Sequence, residues 1–212
     1  MPAISANYTA AVPRRRFTVA AGLIFTLSLL MLPERATGLG EPQAVVAYVA
    51  AQGMATLGPN VAPAQRDASL RGLFEHYFDG DGSAEFALGR YRSIATPLQQ
   101  QEYFRLYAEY TVRTFGTQLN QIGAAPFRVT GGRSSGRQAV VTSEISRPGG
   151  NSVELVWSLI NRHGQFKITD LSIGGESMRV TQREEFSRWI QNNGGRFDAL
   201  LAVMRQQISQ MR

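Results

Sequence analysis

The sequence predicts an α+β fold: an antiparallel sheet of about four strands packed with N-terminal and C-terminal helices. Three observations carry that prediction. Apolar residues recur at helical spacing from Pro42 to about Ile122, the period falls to two between Phe127 and Ile173, and helical spacing returns from Arg183 to Ile208. Helices, then strands, then helices is the order of an α+β domain; an alternating α/β fold would interleave them. No internal repeat interrupts the series.

The bulk numbers agree with a globular chain. Of 212 residues, 43% are hydrophobic and 18% charged. There is no cysteine, which excludes disulfides, thiolate metal sites and cysteine nucleophiles. Only two histidines are present, His76 and His163, far apart in sequence. A multi-histidine metal site is excluded as well.

Residues 1–40 read as a signal peptide. Arg14, Arg15 and Arg16 precede an apolar run of 14 residues, Val19 to Leu32. That run is short of the roughly 20 residues of a membrane-spanning helix and suits an export-signal core. Arg-Arg-Arg-Phe is similar to the twin-arginine pattern, and the small residues Gly38 and Gly40 offer cleavage points. The first 40 residues hold four Arg and one Glu of the chain's 22 basic and 16 acidic residues. The remainder, 41–212, has 18 basic against 15 acidic, a net of +3 instead of +6. Much of the basic character belongs to the leader, which weakens a nucleic-acid reading.

Each element of the mature chain has its own signal. Pro42 to Leu57 places Val45, Val46, Val49, Met54 and Leu57 in an apolar stripe, and "GPNVAP" ends it. Ala64 to Tyr77 is a second helix with Leu70, Leu73, Phe74 and Tyr77 on one face. "DGDGS" (79–83) reads as a turn, with too few oxygen ligands at the right offsets for a calcium loop. A short helix is expected over Ala84 to Gly89. Thr96, Pro97 and Gln99 form a strong start signal for a long helix: the hydroxyl accepts a free backbone N–H, and proline has none to leave unpaired. From Phe127 onward four strands are expected at 127–130, 138–146, 152–161 and 165–173, separated by "GGRSSG", "RPGGN" and "RHG" as turns of a meander. Simple alternation puts Phe166 and Ile168 on one side of the last strand and Leu171 and Ile173 on the other, so both faces of the sheet are expected to be partly buried. Closing helices are expected at 183–193 and 197–208, divided by Gly194 and Gly195.

Residues 74–115 hold ten of the chain's twenty aromatic side chains. The long helix contributes Tyr103, Phe104, Tyr107, Tyr110 and Phe115, an apolar arc too wide for one neighbour. Those rings either fill a core or line an apolar pocket. Catalytic signatures are missing: there is no G-x-S-x-G, Walker loop, dinucleotide fingerprint or H-E-x-x-H. His76, beside Glu75 on a helix, and Asp170, in the last strand, are the candidate acid–base residues; a structural role for His76, and pairing with Lys167 or capping a turn for Asp170, are the alternative readings.

Two segments resemble the MlaC family. "LGRYRSIATPLQQQEYFRLYAEYTVRTFGTQL" (88–119) is similar to the family's Leu-Gly-Arg-Tyr segment with its Ala-Thr and aromatic-rich helix. "FKITDLSIGGESMRVTQREEFSRWIQNNGGRFDALLAVMR" (166–205) is similar to its strand, Arg-x-x-Phe helix, Gly-Gly and final Leu-rich helix. Arg92-Ser93, where an aromatic usually follows, and Gly175-Glu176, in place of Glu-Gly, depart from the pattern and leave open a hopanoid-associated branch.

The resemblance implies an NTF2-like cone enclosing an apolar cavity over residues 41–212. It implies a non-enzymatic periplasmic carrier, without cofactor or metal, that takes phospholipid as cargo between inner and outer membranes. The implied partners are an inner-membrane ABC transporter complex with a mammalian-cell-entry subunit and an outer-membrane lipoprotein; a monomer is expected. The alternative is a small NTF2-like enzyme with Asp170 as base. Phe74, Phe78, Tyr103, Phe104, Tyr107, Leu155, Trp157 and Leu171 are the expected cavity lining. Arg90 and Arg92 are candidates for a headgroup phosphate, and Arg90 for a helix junction instead.

Overall fold

Strand pairing is sequential. In the computed structural model five antiparallel strands lie in the order β1-β2-β3-β4-β5: Phe127–Ser135, Gln138–Ser146, Ser152–Arg162, Gln165–Ile173 and Glu176–Ser177. The meander is as expected, with one strand more than the sequence suggests; β5 has only two residues. Four helices precede it: α1 (Pro42–Ala55), α2 (Pro63–Tyr77), α3 (Gly80–Leu88) and α4 (Pro97–Ile122), with a 3₁₀ segment at Gly89–Ile94. Helices α5 (Met178–Asn192) and α6 (Phe197–Gln210) follow. The structure describes residues 41–58, 60–123, 125–146 and 152–211. The expected leader and the "RPGGN" turn lie outside them.

Local chemistry explains the ends of α4. The Thr96 hydroxyl accepts from the Gln99 N–H at 3.3 Å, and the Gln99 carbonyl oxygen accepts from the Thr96 N–H at 2.8 Å. This reciprocal capping box starts the helix where the sequence places it. Gly123, at φ +71°, ends it. At the β3–β4 turn His163 (φ +54°) and Gly164 (φ +86°) take the left-handed pair a two-residue hairpin requires.

Four sequence expectations are corrected. "DGDGS" is no turn: Gly80 to Ser83 form the first turn of α3. Two glycines hide the helix locally, and tertiary bonds fix it. The Asp79 N–H donates to the Ile168 carbonyl (2.8 Å) and the Ser83 hydroxyl to that of Thr169 (3.0 Å), which pins α3 to β4. "GGRSS" continues β1, past a register shift between Val129 and Gly131. Helix α5 begins at Met178, ahead of the expected Arg183, because the Ser177 hydroxyl caps it by accepting from the Val180 N–H.

The fourth correction concerns the sheet faces. A bulge at Thr169 breaks the alternation of β4: Leu159 pairs with Ile168, while Trp157 pairs with Leu171 and Leu155 with Ile173. Phe166, Ile168, Leu171 and Ile173 therefore all share the face of Leu155, Trp157 and Leu159. That face is buried, and the opposite residues of β3 (Glu154, Val156, Ser158, Ile160) are half-buried or exposed.

Two apolar clusters result. One joins α2 to α6 around Tyr103, Phe186, Ile190, Leu200 and Met204. The other seats Val45, Val46 and Val49 of α1 against Val141, Trp157 and Ile168 of the sheet. Tyr77, Phe78 and Phe115 pack against both. Among the described residues no helix is long and apolar enough to cross a membrane.

Candidate functional site

The seam between the two clusters does not close completely. One cavity, of about 40 Å³, lies between α2, α4, β4 and the start of α5; Phe74, Phe78, Tyr107, Val112, Phe115 and Leu171 form much of its wall. A second, of about 30 Å³, lies between α1, α4 and the sheet, walled by Met54, Phe115, Leu155, Trp157, Leu171 and Ile173. Both are narrow and apolar. Phe115 and Leu171 belong to both walls.

Helical spacing positions the α4 side. Tyr107, Thr111 and Phe115, four residues apart, face the first cavity. Phe115, Gln118 and Leu119 reach the second. From the sheet, the Thr169 bulge turns Leu171 inward to meet them. The Trp157 indole N–H is satisfied by the Ser143 hydroxyl at 2.8 Å, leaving its apolar body against the cavity.

Both cavities adjoin one polar groove between α4, the β4–β5 turn and α5. Gln118 and Ile173 line the groove and the second cavity; Met178 and Gln182 line the groove and the first. Tyr110, Glu176 and Glu185 add polar groups to the groove, and the Tyr110 hydroxyl donates to Glu185 at 3.2 Å. The Gln118 side-chain carbonyl is buried without a hydrogen-bond partner at this junction. The Tyr107 hydroxyl donates to Gln182 at 2.9 Å. Burial pushes its pKa far up; the Asp170 charge adds to the rise, and Thr111 and the Arg179 charge oppose it. Burial and then Glu185 push Tyr110 up to about 12. Both phenols are neutral donors at physiological pH.

Of the residues nominated from sequence, Phe74, Phe78, Tyr107 and Leu171 line the first cavity, and Leu155, Trp157 and Leu171 the second. Tyr103 and Phe104 line neither. Tyr103 is fully buried, its hydroxyl donating to the Ala84 carbonyl at 2.9 Å and its ring edge-on to Phe186 and Phe197. Phe104 packs on the same helical cluster. Here α3 and α6 cover α4, and a stripe of rings cannot say where such neighbours end.

Arg90 and Arg92 also lie away from the cavities. Arg90 is exposed and donates to the Tyr91 hydroxyl at 3.1 Å; Arg92 pairs with Glu85 at 2.9 Å. Gln191 also donates to the Tyr91 hydroxyl (2.8 Å), and with Arg90 it draws that pKa below the ordinary phenol. Tyr91 thus joins the 3₁₀ segment to α5 through Gln191, with Arg90 on the same hydroxyl. Sequence reasoning missed Phe115, Met178 and Gln182. Phe115 was legible in the aromatic stripe; a glutamine inside a helix gave no signal.

Asp170 has its carboxylate occupied. One oxygen accepts from the Ser177 hydroxyl at 2.5 Å and the other from the Arg179 N–H at 3.1 Å, so it anchors the start of α5. Lys167 does not pair with it; its ammonium reaches the His76 carbonyl.

A family model described as "MlaC protein" matches residues 51–206, from within α1 to within α6. The solved structure of a phospholipid-binding protein from Ralstonia solanacearum, in complex with a phospholipid, has the same fold. It is 22% identical with a TM-score of 0.64, the match covering 80% of this chain and 97% of that one.

Proposed function

This chain belongs to the MlaC family, and from that premise we propose that it is a lipid carrier whose seam widens at the two adjoining cavities to hold phospholipid acyl chains. The observation that supports this most is their chemistry. Two apolar walls share Phe115 and Leu171, which suits a molecule with two apolar tails joined at one head. Each methylene removed from water contributes roughly 0.8 kcal/mol, so two ordinary acyl chains supply well over ~10 kcal/mol before ordering costs. A carrier of this kind needs no reactive group, in keeping with the occupied carboxylate of Asp170.

In the same reading residues 1–40 export the protein, and residues 41–212 act in the periplasm as a monomer. There the domain exchanges phospholipid with an inner-membrane ABC transporter complex bearing a mammalian-cell-entry subunit and with an outer-membrane lipoprotein. The direct test is transfer of a labelled phospholipid from donor to acceptor vesicles. A rate that rises in proportion to protein concentration is expected; no rise above the spontaneous rate would contradict the carrier reading. A hopanoid in place of phospholipid in the extracted cargo would reassign the lipid class.

A further inference from the structure

Two arginines of α5, Arg179 and Arg183, stand without an acidic partner among the described residues, and Arg179 lines the first cavity. The Arg179 guanidinium lies 4.1 Å over the Phe86 ring and that of Arg183 lies 5.1 Å over it. Arg183 also rests against Gly89, where a Cβ would come within 3.2 Å of its guanidinium nitrogens; φ of +54° favours glycine there as well. The two segments that resemble the family thus meet at this point. Neither guanidinium makes an ion pair or hydrogen bond with the described residues, whereas Arg71, Arg92, Arg113, Arg128, Arg162 and Arg205 all pair with carboxylates. Arg179 contributes to the wall of the first cavity, and its Nε is buried with no partner. A buried N–H of a charged group left unsatisfied is costly, so its retention points to a ligand that supplies the acceptor.

The other polar margin of the cavities is unsuited to an anion, because Glu176 and Glu185 line it. The one carboxylate lining the first cavity, Asp170, is bonded to the Ser177 hydroxyl and the Arg179 backbone N–H. We propose that Arg179, supported by Arg183, binds the phosphate of the lipid headgroup at the α3–α5 edge of the first cavity. This rests on the carrier reading. A planar guanidinium with free N–H groups, held in place by an aromatic face, matches the geometry of phosphate oxygens. Arg90 and Arg92, the positions the sequence nominated, do not reach this cavity.

The test compares uptake of phosphatidylglycerol and of diacylglycerol with the same acyl chains, each at the same mole fraction in phosphate-free digalactosyldiacylglycerol vesicles, by wild type, Arg179→Met and Arg179→Lys. Wild type is expected to prefer phosphatidylglycerol by about tenfold or more, the value of a charge-assisted hydrogen bond. The ratio should fall toward one in Arg179→Met and be partly kept in Arg179→Lys, which retains the charge without the fork. An undiminished ratio in a folded Arg179→Met protein, or a ratio near one in wild type, overturns the assignment and leaves the carrier reading standing. Uptake of neither lipid by wild type would refute the carrier reading instead. Inorganic phosphate is the third probe: binding to lipid-free protein that depends on Arg179, with a lipid ratio of one, would make free phosphate the ligand and overturn the headgroup assignment.

Discussion

Helix α4 passes through two different environments, and its rings do different work in each. Near its start, Tyr103 sits in a closed cluster with Phe186 and Phe197, fully buried and hydrogen-bonded to Ala84. Three turns on, Phe115 is half-buried and borders two cavities. Both residues come from one amphipathic stripe. The difference lies in what covers them: α3, α5 and α6 seal the first region, while α2, β4 and α1 leave a seam around the second. An apolar surface without a complete set of neighbours stores binding capacity; the same surface fully packed supplies stability.

The comparison can be broken most sharply at the sheet side of the seam. Trp157→Glu puts a carboxylate where only 2% of the residue is exposed and strands the Ser143 hydroxyl. A cost above about 4 kcal/mol is expected, read as unfolding or, in protein that folds, loss of bound lipid; full lipid occupancy would remove Trp157 from the site. Phe186→Ala in the closed cluster is expected to cost about 3–5 kcal/mol in denaturant unfolding. Phe115→Ala sharpens the contrast: removal of a half-buried ring that already borders empty space should cost about 1–2 kcal/mol, while changing the acyl-chain preference of lipid uptake more than Phe186→Ala does.

The smallest effect is electrostatic and lies between α2 and α4. Burial works to raise the Glu109 pKa, but hydrogen bonds from Arg71 and Arg113, both at 2.6 Å, leave it below the ordinary 4.5. A depressed carboxylate stabilises the fold above its unfolded pKa, and that contribution is lost as pH falls from about 4.5 through the lower folded value. Glu109→Gln should therefore lose stability at neutral pH by no more than about 1 kcal/mol and show a weaker acid dependence below that range. An unchanged acid profile would remove Glu109 from the account.

Local signals made most of the fold legible. Thr96, Pro97 and Gln99 marked the start of α4, and alternation gave β2 and β4 their limits because those features depend on neighbouring residues alone. What failed depended on distant ones. Helix α3 begins through two glycines because β4 holds Asp79 and Ser83, and the bulge at Thr169 inverts the expected side of Leu171. The same limit applies to the site. Tyr107 and Phe115 were visible as part of a stripe, but α3 and α6 decide that Tyr103 lies outside the cavities. Arg179 carried no sequence signal at all; only its buried, unpartnered Nε at the wall of the first cavity separates it from the other arginines described.

Whether the seam holds lipid is decided by native mass spectrometry of residues 41–212, followed by extraction of the bound material. The account predicts a stoichiometric mass increase that extraction resolves into an intact diacyl phospholipid. A clean protein mass, unchanged after incubation with phospholipid vesicles, would contradict it and make the cavities ordinary packing defects between two clusters.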